Sequence, residues 1–384
     1  MSADERVAVI GVTGGAGRAA LAELRRAGVS VRAASRSSAR AADVLAATEG
    51  EAPAEAVAAD VTDPAALAAC CAGCRVVVDC CGPVTELGTR VAAAAAAAGA
   101  DYVAAAGDEP FRALLAHIEQ PPSWTAVVSA GMMPGLTGLL PRWLAADSGA
   151  PAMGGHLTGY VGGRDRFTYA AAVDYLAGLG EEVGTPMAVW RNGRVRGAPA
   201  PRSQTRLPFF PGQVTAQPYL PVEIERVARA VGLAAVDWYS VFDGTAVLDV
   251  LTAAGGTSGG ADAAALMRAA ELDLFGRSPY QLIVLRLDSA SGGAAGGTGL
   301  VLRGTDASAL TGTTAALAAL AVLRGEAAPG VGHAAEVLDA DRFVARLADA
   351  PAVTAFERVS GPAVDEPAGS ATGTPVEEVE EGTL

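Results

Sequence analysis

Basic residues are scarce in this sequence. Among 384 residues, 28 are Lys or Arg and 42 are Asp or Glu, so the net charge at pH 7 is −14. Nucleic acids and anionic membranes bind clustered positive charge, and we expect neither as a partner. Long apolar runs are also missing, since the most apolar helical stretch, 91–98, is much shorter than the roughly 20 residues that span a bilayer. The opening segment, 1–6, lacks the pattern of an export signal, which predicts a cytoplasmic protein.

Cysteine is absent outside one short segment. The five cysteines are Cys70, Cys71, Cys74, Cys80 and Cys81. A disulfide framework would spread its cysteines along the chain, and a zinc site would pair two Cys-x-x-Cys units or add histidines. We therefore interpret them as small buried thiols in a reducing cytosol and predict no metal, with metal binding as the alternative.

The order of apolar runs predicts the fold class. A chain of this length favours two domains. In the first 150 residues short apolar strands alternate with Ala-rich helices, which is typical of a doubly wound parallel α/β sheet. The predicted strands are Val7–Gly11, Val29–Ala34, Ala56–Asp60, Val76–Asp79, Tyr102–Ala105 and Ala126–Ala130, and the helices are Gly15–Ala27, Pro64–Gly73 and Thr85–Gly99.

After about residue 150 helices and strands no longer alternate strictly, which predicts an α+β domain with a mixed sheet over 151–304. Its predicted strands are Gly155–Gly162, Gln281–Leu287 and parts of Trp238–Leu251, and its helices are Phe167–Leu179 and Val222–Val231. The segment 305–360, with a helix over Ser308–Leu323, is expected to return to the first domain. The tail, 361–384, carries six acidic residues and no basic one, and is predicted to be disordered.

A glycine-rich loop follows the first strand and opens the first helix. A dinucleotide pyrophosphate needs a tight turn, close backbone approach and a helix N-terminus, which Gly11, Gly14 and Gly17 supply in a GxxGxxG spacing. The predicted phosphate-binding residues are Gly11, Thr13, Gly14, Gly15, Ala16 and Gly17. A glycine-rich turn without a ligand is the alternative.

The end of the second strand predicts the cofactor. An NAD site usually carries an acid there to hold the ribose 2′-hydroxyl, but this chain has Ser35 and Arg36. Arg36 suits a 2′-phosphate, and Ser35, Ser37 or Ser38 can donate a hydrogen bond to it, which favours NADP over NAD. The alternative is that Arg36 merely begins a solvated helix. Asp60 and Val61, at the end of the third strand, are then expected to border the adenine.

With the loop, several short motifs in this order make the chain resemble the saccharopine dehydrogenase/reductase-like family. They are Cys81-Gly82-Pro83, Gly99-Ala100-Asp101-Tyr102-Val103, Gly107-Asp108-Glu109, Ala130 to Leu136 and Pro329-Gly330-Val331. The resemblance covers the first 145 residues best. It implies an NADP-binding Rossmann domain with an α+β substrate domain, a nicotinamide near Cys81, Gly82 and Pro83, and a substrate in the cleft between the domains.

Two departures indicate a specialised member of the family. Saccharopine reductases proper carry an Asp before the Pro-Gly of the Gly-x-x-Pro-Gly motif, where this chain has Met133. They also carry an Arg for a substrate carboxylate shortly after the aromatic segment that matches 167–169, where this chain reads Ala170-Ala171-Ala172. The resemblance therefore predicts a more apolar site and not saccharopine itself as the substrate.

Reduction by NADPH needs a proton donor near the nicotinamide. Tyr169, in the segment that enters the family's cleft, is the first candidate, and plain packing is the alternative. His156 is the second candidate, although a lone His on a half-buried strand is often structural. Arg164 and Arg166 are candidates for binding an anionic substrate group, or belong to a salt-paired loop. Met132 and Met133 are expected to make the substrate site apolar, or to fill the core.

The leading hypothesis is an NADPH-dependent reductase of a C=N or C=O bond in a small metabolite. An enoyl reductase that acts on a carrier-bound C=C bond is the second hypothesis, with a carrier protein as a possible partner. The third is a protein that senses NADP without turning it over. A homodimer is expected, with no nucleic-acid or membrane partner.

Overall fold

The computed structural model of the protein describes residues 6–147, 152–180, 182–197, 200–253, 262–290 and 297–360. The predicted acidic tail, 361–384, lies outside the described residues. No helix in these described ranges is long and apolar enough to cross a membrane.

The N-terminal part of the chain alternates strands and helices as predicted. Its elements are β1 (Val7–Ile10), α1 (Gly15–Arg26), β2 (Val31–Ser35), α2 (Ser38–Ala46), β3 (Ala54–Ala58), α3 (Pro64–Cys71), β4 (Val76–Asp79), α4 (Val84–Leu87), α5 (Arg90–Ala97), β5 (Asp101–Ala104), α6 (Glu109–Leu115), β6 (Thr125–Val128) and α7 (Leu136–Asp147). The predicted single helix over Thr85–Gly99 is wrong, because Gly88 interrupts it with a φ of +59° and the segment forms α4 and α5.

The middle of the chain contains nine strands and four helices within the described residues. They are β7 (His156–Arg164), α8 (Tyr169–Ala177), β8 (Gly184–Pro186), β9 (Ala188–Arg191), β10 (Arg194–Arg196), β11 (Arg202–Arg206), β12 (Gln213–Pro221), α9 (Val222–Val231), β13 (Ala235–Phe242), α10 (Ala246–Ala253), α11 (Ala263–Leu274), β14 (Tyr280–Asp288) and β15 (Thr298–Gly304). The strand predicted in parts of Trp238–Leu251 forms only as far as Phe242, and the apolar residues after it form α10.

The last described segment contributes to both sheets. Its elements are α12 (Ala307–Leu323), β16 (Gly330–His333), α13 (Ala334–Val337), α14 (Ala340–Ala348) and β17 (Val353–Ser360). β16 pairs with β6 in the first sheet, whereas β17 pairs with β15 in the second. The expectation that 305–360 returns to the first domain therefore needs a correction at β17. The domain boundaries at 150 and 304 remain a proposal.

The first sheet has seven parallel strands in the order β16-β6-β5-β4-β1-β2-β3. Because the chain order reverses between β1 and β4, a crevice opens at the carboxyl ends of these two strands. The short Val-rich strands β1, β4 and β6 are buried on both faces, as parallel strands usually are. The predicted doubly wound Rossmann architecture is confirmed.

The second sheet is mixed and has ten strands. Its main path is β10-β9-β13-β7-β14-β15-β17, with β12 pairing β13, β11 and β8. β13 and β7 run parallel, whereas β14 runs antiparallel to both β7 and β15. The predicted mixed sheet of the α+β part is therefore also confirmed.

One hydrophobic core joins the two sheets. Buried residues of the first sheet, such as Val9 and Val78, belong to the same cluster as Trp238 and Ile283 of the second sheet. Helix α12 packs along α1 at a close approach, since a Cβ on Gly312 would lie 2.7 Å from Ala19 Cβ and 2.8 Å from Ala20 N. The two sheets are thus fixed against each other by shared apolar burial.

The cysteines lie in the first domain, and all five are free thiols. Cys70, Cys71 and Cys74 are buried, while Cys80 and Cys81 are partly buried at the end of β4. Burial raises the pKa of Cys70 to about 11 and that of Cys71 to about 12, which keeps both protonated at neutral pH.

Candidate active site

The glycine-rich loop lies at the crevice between β1 and β4. Gly11 has a φ of +90°, which is a backbone conformation suited to glycine, and Gly14 is the N-cap of α1. A Cβ on Gly17 would lie 2.6 Å from Gly11 C and 2.8 Å from Val12 Cα, so a side chain there would displace the loop. Gly14 has more room, with Gly11 O at 3.4 Å from an added Cβ. The loop thus combines a tight turn, a close helix and an open approach, the features that a pyrophosphate requires.

The N-terminus of α12 stands beside this loop. A Cβ on Gly15 would lie 2.7 Å from Ser308 Cβ, in the first turn of α12. The carboxylate of Asp165, just after β7, accepts a hydrogen bond of 2.7 Å from Ala307 N, and burial raises the pKa of that carboxyl group. Arg166 follows Asp165 and its side chain is exposed. The segment with Arg166 therefore adjoins the helix that packs against the phosphate loop.

The side chains predicted for the adenosine end lie at the ends of β2 and β3. Ser35 is buried, and its hydroxyl donates to Ser37 O at 2.7 Å, which shapes the turn into α2. Arg36 is exposed at this turn. Hydrogen bonds from Thr62 and the charge of Arg36 lower the pKa of Asp60, so Arg36 and Asp60 lie near each other at the same sheet edge. Val61 packs partly buried against the neighbouring core.

The end of β4 carries a carboxyl group that sequence analysis missed. Asp79 accepts hydrogen bonds from Tyr102 Oη at 2.9 Å and from Cys81 N at 2.9 Å. Burial raises the pKa of Asp79 to about 6, although these hydrogen bonds oppose the shift. Asp79 thereby fixes the backbone that leads into Gly82 and Pro83. The local signal was an acid at the end of an otherwise apolar strand.

Helix α8 of the second domain lies directly on the turn at Gly82 and Pro83. A Cβ on Gly82 would lie 3.0 Å from Ala170 Cβ and 3.2 Å from Asp174 Oδ2. Tyr169 precedes Ala170 at the start of α8, and 57% of its surface is exposed. The fold therefore brings the start of α8, which carries the exposed Tyr169, next to the turn after β4.

The loop after β6 forms another part of this edge. Met132 is buried, and its N–H donates to Thr311 Oγ1 of α12 at 3.2 Å, whereas Met133 is 46% exposed. Only Met133 of the two predicted methionines is therefore accessible to a substrate, and Met132 fills the core.

A second carboxyl group missed by sequence analysis holds the same loop. Glu223, at the start of α9, accepts hydrogen bonds from Gly135 N at 2.9 Å and from Thr137 Oγ1 at 2.5 Å. It is only 2% exposed, and burial followed by the charge of Asp108 raises its pKa to about 7. The second domain thus supplies an acid to the loop in which Met133 replaces the family's Asp.

The two alternative proton donors, His156 and Tyr169, lie beyond opposite ends of the β7 segment, since His156 begins β7 and Tyr169 follows its other end. His156 begins β7 and its Nε2 lies 2.6 Å from Asp237 Oδ2, at the opposite end of the nine-residue strand from Arg164. At about 3.3 Å per residue, the strand separates His156 from Arg164 by about 26 Å. His156 thus contacts Asp237, as the structural alternative expects, and its catalytic role stays a prediction from the sequence.

Arg164 is also engaged in structural contacts. It is buried, its Nη1 lies 3.1 Å from Asp243 Oδ2, and its Nε donates to Ser278 O at 2.8 Å. Its guanidinium group also lies over the ring of Tyr280. Of the two arginines predicted to bind substrate, the structure leaves only Arg166 accessible.

An ionic network joins three segments of the chain beyond β5. Arg226 Nη1 of α9 lies 2.8 Å from Asp108 Oδ1, and His333 Nε2 at the end of β16 lies 3.1 Å from Glu109 Oε2. His333 is 1% exposed. Asp108 and Glu109 therefore hold the two domains and the C-terminal segment together.

Comparison with known proteins agrees with this geometry. Residues 7–123 match the family described as saccharopine dehydrogenase NADP binding domain. No curated protein sequence matches the chain. The fold is similar to apo saccharopine dehydrogenase (L-Glu forming) from Saccharomyces cerevisiae, with a TM-score of 0.65 and 15% identity over 93% of this chain and 99% of that one. DAP dehydrogenase from C. glutamicum in complex with DAP gives a TM-score of 0.44 at 14% identity, over 90% and 99%.

Fold and site define a two-domain protein with a dinucleotide-binding Rossmann domain and a mixed-sheet second domain. Residues 7–123 match the family of the saccharopine dehydrogenase NADP binding domain, and the whole described chain has the fold of the yeast enzyme. The predicted family resemblance is confirmed, as is NADP(H) as the cofactor.

Proposed function

We propose that this protein is an NADPH-dependent reductase of a C=N or C=O bond in a small metabolite. The observation that carries the proposal is the contact of helix α8, which begins at Tyr169, with the turn after β4. In a doubly wound sheet a dinucleotide crosses the switch point, with adenosine over β1 to β3 and nicotinamide over the other half. A second domain whose helix α8 packs on the nicotinamide half supports a substrate site there.

The residues present fit the cofactor. Gly17 leaves no room for a Cβ, Gly14 leaves the pyrophosphate approach open, and Arg36 offers an exposed guanidinium group beside β2. When bound, NADPH supplies the hydride. The chain would hold the pyrophosphate on the N-terminus of α1, the 2′-phosphate on Arg36, and the nicotinamide at Gly82 and Pro83.

Tyr169 would donate a proton to the reduced nitrogen or oxygen, because it is exposed at the start of the helix that contacts that turn. Met133 would give the substrate an apolar surface, and Arg166 would attract an anionic group of the substrate. Homodimer formation, a cytoplasmic location and a carrier-protein partner stay predictions from the sequence.

A substrate panel tests the proposal. Purified protein is mixed with NADPH and imines, ketones or carrier-bound enoyl groups, and NADPH oxidation is followed. Oxidation with imines or ketones supports the proposal. Turnover of carrier-bound enoyl groups alone would establish the enoyl reductase instead, and tight NADPH binding without turnover on the whole panel would favour the sensor.

The Arg36→Ala variant tests cofactor choice. We expect its Kd for NADPH to rise about tenfold, since a charge-assisted hydrogen bond to a phosphate contributes about 1.5 kcal/mol or more. The Kd for NADH should not change, because NADH has no 2′-phosphate. Titration calorimetry with both cofactors measures this difference.

Arg324→Ala is the matched control, since Arg324 is exposed at the far end of α12 from the phosphate loop. It removes the same charge and should leave both Kd values unchanged. Equal weakening of NADPH and NADH by Arg36→Ala would contradict a role in recognising the 2′-phosphate.

A further inference from the structure

The carboxylate of Asp174 connects the second domain to the backbone of the first. From the middle of α8, its Oδ1 accepts a hydrogen bond from Val84 N at 2.9 Å, and its Oδ2 lies 3.2 Å from the same nitrogen. Thr85 N also donates to it. Val84 and Thr85 are the first residues of α4, immediately after Gly82 and Pro83. A single side chain thus holds both backbone N–H groups that follow the turn.

This contact replaces a local helix cap. The N-cap residue of α4 is Pro83, and it makes no side-chain hydrogen bond to the helix. The free N–H groups of a helix start need acceptors, which a Ser, Thr, Asp or Asn at the N-cap usually provides. Here the acceptor comes from a residue 90 positions further along the chain. The conformation of the turn therefore depends on the position of α8.

Asp174 and Ala170 lie one helical turn apart on α8, and both side chains lie close to Gly82. A Cβ on Gly82 would lie 3.0 Å from Ala170 Cβ and 3.2 Å from Asp174 Oδ2, so Gly82 is enclosed between the end of β4 and α8. Ala170 restricts the turn by packing against Gly82, and Asp174 restricts it by accepting hydrogen bonds from the residues that follow. It has little freedom to shift while α8 stays in place.

We propose that Asp174 is a positioning residue for the nicotinamide half of NADPH, which it orients by fixing the backbone from Gly82 to Thr85. The inference rests on the proposed function, because the turn matters only if a nicotinamide binds beside it. The nicotinamide half of a dinucleotide lies over the carboxyl ends of the strands beyond the switch point, and β4 is the first of these. Tyr169 starts the same helix, so Asp174 sets the distance between the cofactor turn and the proposed proton donor.

The environment of the Asp174 carboxylate indicates that it fixes the geometry of the turn as well as stabilising the fold. Burial raises the pKa of Asp174, while the hydrogen bonds from Val84 and Thr85 lower it. Placing a carboxylate between the domains thus carries a desolvation cost that a local serine or asparagine cap would avoid. The carboxylate instead ties the two domains together at the cofactor edge.

The test compares two ligands on three variants of the full chain. NADPH reports on the whole site, whereas adenosine 2′,5′-bisphosphate reports only on the adenosine end. Asp174→Ala removes the acceptor, and Asp174→Asn keeps one acceptor oxygen. Asp273→Ala is the matched control, because the Asp273 carboxylate accepts hydrogen bonds from Thr245 N, Ala246 N and Val247 N at the start of α10, within the second domain.

We expect Asp174→Ala to raise the Kd for NADPH about tenfold, because the released turn would have to become ordered when the nicotinamide half binds, and to leave the Kd for the bisphosphate within about twofold. Asp174→Asn should restore most of the NADPH affinity. Asp273→Ala should lower the melting temperature without changing the ratio of the two Kd values. A purely structural role of Asp174 would weaken both ligands together.

The outcomes separate this inference from the proposed function. Wild-type protein that binds neither ligand would overturn both. Wild-type protein that binds NADPH and turns over no substrate would overturn the reductase, while a selective loss of NADPH affinity in Asp174→Ala would still support the positioning role. Equal Kd ratios in wild type, Asp174→Ala and Asp174→Asn would overturn the positioning role alone. If Asp174→Ala does not fold, Asp174→Ser takes its place, since serine lacks the carboxylate and has a shorter side chain, and an unchanged ratio of the two Kd values in that variant overturns the positioning role.

Discussion

Gly14→Ala is expected to weaken NADPH binding strongly while leaving the stability of the free protein almost unchanged. A Cβ on Gly14 would meet only Gly11 O, at the ordinary contact distance of 3.4 Å, and the residue has the extended conformation φ −79°, ψ 164° that alanine adopts. The free energy of unfolding should therefore change by less than about 1 kcal/mol. The added methyl group would occupy the space through which the pyrophosphate approaches, so we expect the Kd for NADPH to rise at least about tenfold.

Gly17→Ala should lower both the free energy of unfolding and the affinity for NADPH. Its Cβ would lie 2.6 Å from Gly11 C and 2.8 Å from Val12 Cα, which are backbone atoms that can move only with the loop. Such overpacking costs about 1–3 kcal/mol of unfolding free energy, and the displaced loop should lose NADPH as well. Chemical denaturation and NADPH titration measure the two effects separately.

Gly193→Ala is the control for both variants. Gly193 lies in the turn between β9 and β10, and an added Cβ there meets nothing within 4 Å. It should leave NADPH affinity and stability near their wild-type values. NADPH binding by Gly14→Ala with wild-type affinity would contradict the assignment of this loop to the pyrophosphate.

Short-range pattern was enough to predict this loop and the strands around it. The Gly11 to Gly17 loop, the strand at Val76–Asp79 and the helix at Val222–Val231 depend on residues close in sequence, through apolar periodicity and glycine spacing. Elements with a mixed signal were harder. β16, Gly330–His333, is a short segment with two glycines that becomes a strand only because β6 offers a partner.

The interdomain contacts could not be predicted in this way. Asp174 meets Val84 across 90 residues, and Glu223 meets Gly135 across 88. Nothing in the local sequence distinguishes these two acids from solvated helix residues, because their burial comes from another part of the chain. The contact of His156 with Asp237 could not be predicted for the same reason, because the two residues are 81 positions apart in the sequence.

Glu223→Gln is expected to stabilise the protein above neutral pH. The pKa of Glu223 is about 7 in the folded protein against 4.5 as the ordinary value, so the folded state binds its proton more tightly than the unfolded state. The stabilising contribution of the protonated group is therefore fully present below about pH 4.5 and is lost as the pH rises through 7. At 1.36 kcal/mol for each pKa unit, the loss amounts to about 3 kcal/mol.

Glutamine keeps the contacts of the protonated acid without titrating. Its oxygen can accept from Gly135 N, and its amide can donate to Thr137 Oγ1, whose hydroxyl lies 3.4 Å from Met132 O. The difference in unfolding free energy between Glu223→Gln and wild type should thus be small at pH 5 and grow by about 3 kcal/mol in favour of the variant by pH 8. Urea denaturation at both pH values measures it.

Glu225→Gln, two residues further along α9, should have the opposite sign. Glu225 is also 2% exposed, but its carboxylate lies 2.5 Å from Arg194 Nε and 2.9 Å from Arg229 Nη2. Removing its charge leaves two arginines without a counter-ion, which should lower the unfolding free energy by about 1 kcal/mol at pH 8. The two substitutions on α9 would then change stability in opposite directions. Glu223 faces backbone and hydroxyl donors, whereas Glu225 faces two arginines. A Glu223→Gln difference that does not vary with pH would show that Glu223 is ionised throughout, held by Arg226 and the start of α7.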